Sequence, residues 1–227
     1  IIQVEKEFGE RVPLTIADAN AQEGWIALVF QAVGASTLKL SKMEAGQELP
    51  TVLGPLGNPS EIEKYDAPVV VVGGGFGVAP CYPIVQAHKE IGNKVIMIIA
   101  ARTKDLLIYV DEMKALADEV IIMTDDGSAG RQGVSTVPLK ELCESQCPPA
   151  EVVAIGPPIM IDGTGMCGGC RVSIDGKTKF VCVDGPEFDA HLVDWDNMMM
   201  RMKSFKEREQ EDFHKCKMQE AADKLAK

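Results

Sequence analysis

Asp162, Cys167, Cys170 and Cys182 carry the most specific chemistry in the chain. They lie on or just after the stretch Asp-Gly-Thr-Gly-Met-Cys-Gly-Gly-Cys. Three thiolates on glycine-rich loops can converge on one inorganic centre. Their spacing is C-x2-C-x11-C, and Asp162 precedes Cys167 by the x4 interval that separates the first two cysteines of plant-type [2Fe-2S] loops. Asp162 therefore stands where a fourth cysteine would be, and a carboxylate, being harder than a thiolate, should alter potential and ligand exchange. Zinc held by three Cys and one Asp is the competing centre, and plain thiols are a third reading.

A second constellation is Gly73-Gly-Gly-Phe-Gly-Val-Ala-Pro80, between an apolar strand and a helix. Glycines such as Gly74, Gly75 and Gly77 let backbone N–H groups approach a pyrophosphate, and the following helix N-terminus favours its charge. A tight strand-to-helix turn without a ligand is the alternative. Gly156 and Pro157 end the last α/β strand, at the carboxyl edge where such sheets receive ligands. Asp125 and Asp126 end another strand, where an adenosine ribose is expected. Two carboxylates there would repel a 2′-phosphate, so NADH is expected over NADPH; Arg102 or Arg131 could instead pair with that phosphate, and both aspartates could be solvated turn residues. Cys81 follows the glycine turn and could approach a nicotinamide, although buried packing explains it as well. No catalytic side chain is assigned.

A third set is weaker. Arg11, Pro13, Leu14 and Thr15, with Gly34, Ser36 and Thr37, offer basic and small polar groups to a flavin's phosphates. Arg11 on a strand is as readily a surface charge, and Ser36 and Thr37 fit a helix N-terminus.

The elements that must position these groups change character along the chain. Strands are predicted over 1–4, 11–17, 25–32 and 47–53 with no helix between them, which suggests an antiparallel barrel or sandwich. Beyond the Gly54-Pro-Leu-Gly-Asn-Pro59 linker, strands over 69–72, 94–101, 119–124 and 151–155 alternate with helices over 79–91, 105–117 and 136–144, the rhythm of a parallel α/β sheet. A hairpin pairs 171–174 with 177–183 through Asp175-Gly176, a two-residue turn suited to type I′. Residues 189–227 are expected to be mostly helix, with Met198, Met199 and Met200 on a packed face. Four parts result: an antiparallel barrel (1–58), an α/β domain (59–158), a [2Fe-2S] lobe (159–188) and a helical tail (189–227). Ile1 falls in mid-strand and Pro158 runs straight into the cysteine loop, so further strands are expected before Ile1 and a further helix after Pro158.

Composition narrows the partners. The chain has 227 residues, 46% hydrophobic and 25% charged, an ordinary globular balance. Thirty-four acidic against 23 basic residues give a net charge of −11, which disfavours nucleic acid. No apolar run reaches the roughly 18–20 residues of a membrane span, and neither a signal peptide nor a membrane partner is expected. Seven cysteines, three of them crowded between Cys167 and Cys182, fit a metal site in a reducing cytoplasm better than a disulfide framework.

Taken together, Arg11-Val-Pro-Leu-Thr15, Gly54-Pro-Leu-Gly57, the Gly73–Pro80 turn, Ile155-Gly-Pro-Pro158 and the Asp162 to Cys182 loop resemble the ferredoxin-reductase-like flavoproteins with a C-terminal [2Fe-2S] domain. Within that superfamily the chain is most similar to small subunits of the electron-bifurcating NADH-dependent ferredoxin:NADP⁺ oxidoreductases, with the dihydroorotate dehydrogenase electron-transfer subunits close by. The segment Val181-Cys-Val-Asp-Gly-Pro-Glu-Phe188 and His191-Leu-Val-Asp-Trp195 fit that tail, and Asp162 separates the chain from the four-cysteine dihydroorotate relatives. The resemblance implies FAD, NAD(H) and a [2Fe-2S] cluster held by Asp162, Cys167, Cys170 and Cys182. It makes 1–58 a flavin-binding barrel and 59–158 an NAD(P)-binding domain. It sets Arg11, Pro13, Leu14 and Thr15 along the flavin, Gly34, Ser36 and Thr37 at its pyrophosphate, and FAD between barrel and α/β domain. Leu14 departs from relatives that carry an aromatic residue there, which bears on redox tuning. The implied activity passes a hydride from NADH to FAD and single electrons to the cluster, with a larger flavin/iron-sulfur subunit as heterodimer partner. An electron-transfer subunit of a dihydroorotate or sulfide dehydrogenase, a free-standing NAD(P)H reductase and a zinc-bearing scaffold are the alternatives.

Overall fold

The computed structural model describes residues 1–6, 9–154, 160, 163–186, 188 and 192–202. In chain order they form β1 (Ile2–Gln3), β2 (Arg11–Val12), β3 (Ile16–Asn20), β4 (Trp25–Leu28), α1 (Ala35–Leu40), β5 (Thr51–Val52), β6 (Val69–Gly74), α2 (Val78–Glu90), β7 (Val95–Ala101), α3 (Val110–Leu116), β8 (Glu119–Thr124), β9 (Arg131–Gln132), α4 (Thr136–Cys143), β10 (Glu151–Ala154), β11 (Arg171–Ile174), β12 (Lys177–Phe180), α5 (Val181–Asp184) and α6 (Trp195–Met202). The fold combines antiparallel sheets with one parallel sheet. Among the described residues no helix is long and apolar enough to cross a membrane.

The chain divides into two compact units. One comprises Ile1–Leu14, Phe30–Asn58 and Pro158–Lys227; the other comprises Thr15–Val29 and Pro59–Pro157. The second unit is built on a parallel sheet of order β10-β6-β7-β8-β9. Alternate residues of its strands face opposite sides: Val69, Val71, Met97 and Ile99 pack with Val78, Cys81, Val85 and Met113, while Val70, Ile96, Ile98 and Met123 pack with Leu139 and Leu142 of α4. Covering both faces is why these strands are continuously apolar. Each fully buried Val, Ile or Met side chain contributes about 1.5–3 kcal/mol. The order reverses at β6, with β7 on one side and β10 on the other. In doubly wound sheets ligands bind beyond the carboxyl ends of the strands at such a switch point, and here Ala154 is level with Val72.

The helix predicted over 105–117 is interrupted. A single 3₁₀ turn covers Lys104–Leu106, and Tyr109 takes the left-handed conformation (φ 57°) before α3 begins. Packing explains the break, because Leu107, Ile108 and Tyr109 turn into the core and Tyr109 meets Tyr82 edge to face at 5.6 Å. At the opposite sheet edge the buried Asn93 donates to the Glu63 carbonyl (2.7 Å) and contacts His88 Nδ1 (2.9 Å), while its Oδ1 accepts the Tyr65 N–H (2.9 Å). Burial holds the His88 imidazole below its ordinary value, which disfavours charge on the ring at its 3.6 Å approach to Glu151.

Asp118 joins α2 to β7: its Oδ2 accepts the Val95 N–H at 2.7 Å, and Lys89 Nζ donates to the carboxylate at 2.8 Å. Burial raises this carboxyl, but the hydrogen bonds from Lys89 and Val95 and the Lys89 charge outweigh it and leave it lowered. A lowered folded-state value means the stabilisation is present above the unfolded-state value of 3.8 and is lost as pH falls through the folded value. With Asp118 more than a third exposed, Asp118→Asn should cost only about 0.5–1 kcal/mol at pH 7. Urea midpoints across pH 7 to 2 test this: the gap between wild type and variant should close in acid.

In the first unit, β2-β1-β5 form a three-stranded antiparallel sheet. The β11–β12 hairpin turns at Asp175 (φ 50°) and Gly176 (φ 69°), as a type I′ turn requires. The strand predicted to run on to residue 183 instead stops at Phe180. Asp184 Oδ2 accepts the Phe180 N–H (2.7 Å) and closes the turn of α5. Met198 packs on this hairpin's core, whereas Met199 and Met200, expected on the same packed face, are exposed.

Candidate functional site

The glycine-rich loop and the hairpin bring two of the three candidate thiols together. Cys170 and Cys182 are buried with Val172 and Val181, and their sulfurs lie 3.3 Å apart. The Cys182 N–H points at Cys170 Sγ (3.5 Å) and the Gly169 N–H at Cys167 Sγ (3.3 Å). Amides aimed at sulfur stabilise negative charge there, and this donor set fits a thiolate-held iron-sulfur centre. Gly168 permits the arrangement by taking φ +64°. Cys167 is exposed, and among the described residues no three His, Cys, Asp or Glu side chains gather closely enough to hold a metal ion. Asp162 lies outside the described residues. An open groove beside the thiols is lined by Leu53, Leu56, Gly163, Thr164, Cys182 and Val183, among others.

At the sheet's switch point the glycine turn has the shape a dinucleotide needs. A Cβ on Gly73 would lie 2.8 Å from Val78 Cα and 3.1 Å from Cys81 Sγ, so only glycine lets α2 start this close to β6. Gly74 and Gly75 face open space, Gly75 with φ +56°, and Gly77 caps α2. Phe76 is 48% exposed on this turn. Cys81 is buried, its thiol donating to the Gly77 carbonyl at 3.3 Å, so it packs the turn from behind. Gly156 and Pro157 lie outside the described residues.

Asp125 and Asp126 follow β8 at the same edge. Asp126 Oδ1 accepts from the Ser128 hydroxyl (2.6 Å) and N–H (3.0 Å), which hold its carboxyl below the usual value. Ser128 in turn accepts the Lys104 N–H (2.8 Å). Arg131 is engaged by Glu141 through two 2.7 Å contacts, whereas Arg102 is exposed.

Of the flavin candidates, Arg11, Pro13, Leu14, Gly34, Ser36 and Thr37 fall in the first unit and Thr15 in the second. Arg11 is exposed on β2. Ser36 donates to Glu10 Oε2 (3.0 Å), which draws the start of α1 to the strand carrying Arg11. Thr37 Oγ1 accepts the Gly34 N–H (3.0 Å) and donates to the Gly34 carbonyl (3.1 Å). Sequence reasoning missed Thr124, whose buried hydroxyl donates to the Ala129 carbonyl (2.7 Å) and shapes the loop bearing both aspartates. It also missed Arg201, whose guanidinium reaches the backbone of the cysteine loop.

Two family models match this chain over the stretches that carry the cysteine loop and the glycine turn. Residues 158–194 match the iron-sulfur cluster binding domain of dihydroorotate dehydrogenase B, and residues 71–165 match the oxidoreductase NAD-binding domain. A Thermotoga maritima homolog of the dihydroorotate dehydrogenase B (NAD⁺) electron transfer subunit is 45% identical, over 89% of this chain and 79% of its own length. A probable subunit of that kind from Methanopyrus kandleri is 34% identical, over 78% of this chain and 72% of its own. A solved chain of the NADH-dependent reduced ferredoxin-NADP oxidoreductase, described for flavin-based electron bifurcation, superposes with a TM-score of 0.81 at 42% identity and covers 94% of this chain and 84% of that one.

Proposed function

Because this chain belongs to the family of dihydroorotate dehydrogenase B electron-transfer subunits and their bifurcating relatives, we propose that it carries electrons from NADH to a larger flavin/iron-sulfur subunit. It is an electron-transfer subunit of an NAD-dependent oxidoreductase that uses FAD, NAD(H) and a [2Fe-2S] cluster. One observation carries the reading: a single chain holds both a dinucleotide-shaped glycine turn and a pocket of buried thiols with amides aimed at sulfur. A nicotinamide delivers two electrons together and a [2Fe-2S] cluster takes one, so the flavin supplies the conversion between them. The chain's own residues bind and orient. Gly74, Gly75 and Gly77 present backbone to the pyrophosphate, and Gly156 and Pro157 serve the same nucleotide. Cys167, Cys170 and Cys182 hold the cluster together with Asp162.

The division of labour follows the sequence. Residues 1–58 form the FAD-binding part, an antiparallel barrel, with Arg11, Pro13, Leu14 and Thr15 along the flavin and Gly34, Ser36 and Thr37 at its phosphates. Residues 59–158 bind NAD(H), 159–188 form the cluster lobe and 189–227 the C-terminal tail. Solvent-facing Cys167 fits a cytoplasmic setting in which thiols stay reduced. Fresh protein should release FAD on denaturation and co-purify with the larger subunit from native extract. Recovery of FMN, or of zinc in place of iron and sulfide, contradicts the assignment.

NADH is the expected donor. Asp125 and Asp126 put negative charge where a 2′-phosphate would sit, and Arg131 could neutralise that phosphate only by leaving Glu141. Steady-state flavin reduction should give kcat/KM at least about 10-fold higher with NADH than NADPH, a difference of about 1.4 kcal/mol. Asp126→Ala should narrow the ratio. An unchanged ratio would mean that Asp126 serves only its turn with Ser128.

A further inference from the structure

Arg201 stands in the last turn of α6, where a cation ordinarily faces its own helix carbonyls or solvent. Here it reaches across to the cysteine loop. Nη2 donates to the carbonyls of Gly168 (3.4 Å) and Gly169 (3.0 Å), and Nε donates to that of Arg171 (3.2 Å). All three carbonyls lie between Cys167 and Cys170 or just after them. The Gly168 carbonyl and the Gly169 N–H belong to one planar peptide group, and in a trans peptide the two point in opposite directions. Holding the oxygen on Arg201 therefore turns the N–H away from it, and that N–H is the one directed at Cys167 Sγ (3.3 Å).

We propose that Arg201 is a positioning residue that sets the reduction potential of the iron-sulfur centre by fixing the Gly168–Gly169 peptide with its N–H on Cys167. This rests on the cluster reading above. Hydrogen bonds to sulfur and nearby charge are the levers by which a protein tunes such a centre. Reduction adds one negative charge to the centre, so an amide dipole and a cation on this side favour the reduced form. The planar fork matters as well as the charge, because a lysine offers a single compact ammonium in place of several donors at fixed angles.

The test is a redox titration of the full chain with its cofactors, followed by electron paramagnetic resonance, for wild type, Arg201→Gln and Arg201→Lys, with iron release to a chelator as a second readout. Arg201→Gln should favour the oxidised cluster by about 3- to 10-fold at a fixed potential, tenfold being 59 mV for one electron. Arg201→Lys should fall between Arg201→Gln and wild type and release iron faster than wild type. A Gln variant with the wild-type potential overturns the inference, as does a Lys variant shifted as far as the Gln variant. Should the Gln variant hold no cluster, a Lys variant equal to wild type in both potential and iron release overturns it, and an intermediate one supports it. Iron and sulfide in the wild-type chain check the underlying reading separately: without them the cluster reading fails and takes the inference with it.

Discussion

Replacing Cys182 with serine is expected to strip iron and acid-labile sulfide from the purified chain while leaving its flavin bound and reducible by NADH. Cys182 is buried in the hairpin core, its sulfur 3.3 Å from Cys170. Serine nearly matches it in volume, so the core should persist, but its hard oxygen is a poor substitute for thiolate in an iron-sulfur centre. Cys170→Ser should behave alike. Cys143→Ser, at an exposed position that ends α4, should change neither iron nor flavin content and controls for thiol loss in general. Full iron and sulfide content in the Cys182 variant would remove that residue from the centre.

Substitution of Gly73 should be nearly as damaging, at the other site. An added methyl must displace Val78 Cα, backbone at the first residue of α2, so the cost falls on the strand-to-helix turn itself. Overpacking of this kind costs about 1–3 kcal/mol, and for a chain of this size each kcal/mol lowers Tm by roughly 2–4 °C. Reduction of the flavin by NADH should fall by about 100-fold, since a shift on the order of 1 Å in a binding turn has that effect. Gly74→Ala separates ligand from fold. Gly74 has an ordinary extended backbone with nothing within 4 Å of an added Cβ, so stability should hold within about 0.5 kcal/mol. Its KM for NADH should nevertheless rise about 10-fold, because the methyl projects where the pyrophosphate approaches. Equal KM values would deny that the turn cradles the nucleotide.

Legibility in the sequence followed the reach of the interactions involved. Strands β6, β7, β8 and β10 were readable because both faces of a parallel sheet are covered, which leaves unbroken apolar runs between helices. The Asp175–Gly176 turn was readable because its left-handed backbone demands particular residues. Tyr109 was not, since the break before α3 comes from packing against Tyr82, a contact that local pattern does not encode. The alternation of Val181, Cys182 and Val183 suggests a strand, yet the Asp184 carboxylate closes a helical turn on the Phe180 N–H. Thr15–Val29 continues the strand-rich rhythm of its neighbours but packs with the α/β unit, a partition set by tertiary contacts. For the site, cysteine spacing pointed to a shared centre, and the structure pairs Cys170 with Cys182. Arg201 was invisible because an arginine on a Met-rich helix gives no sign that it grips a loop 30 or more positions away.

Electrons are expected to pass from NADH to the iron-sulfur centre within this one chain. Anaerobic addition of NADH to the purified protein, followed by absorbance and electron paramagnetic resonance, measures that transfer directly. The expected result is bleaching of the flavin together with the resonance of a reduced [2Fe-2S] cluster, and the loss of that resonance alone in Cys182→Ser. A chain whose flavin bleaches while an intact cluster stays oxidised, or one that contains zinc and shows no resonance, would contradict it.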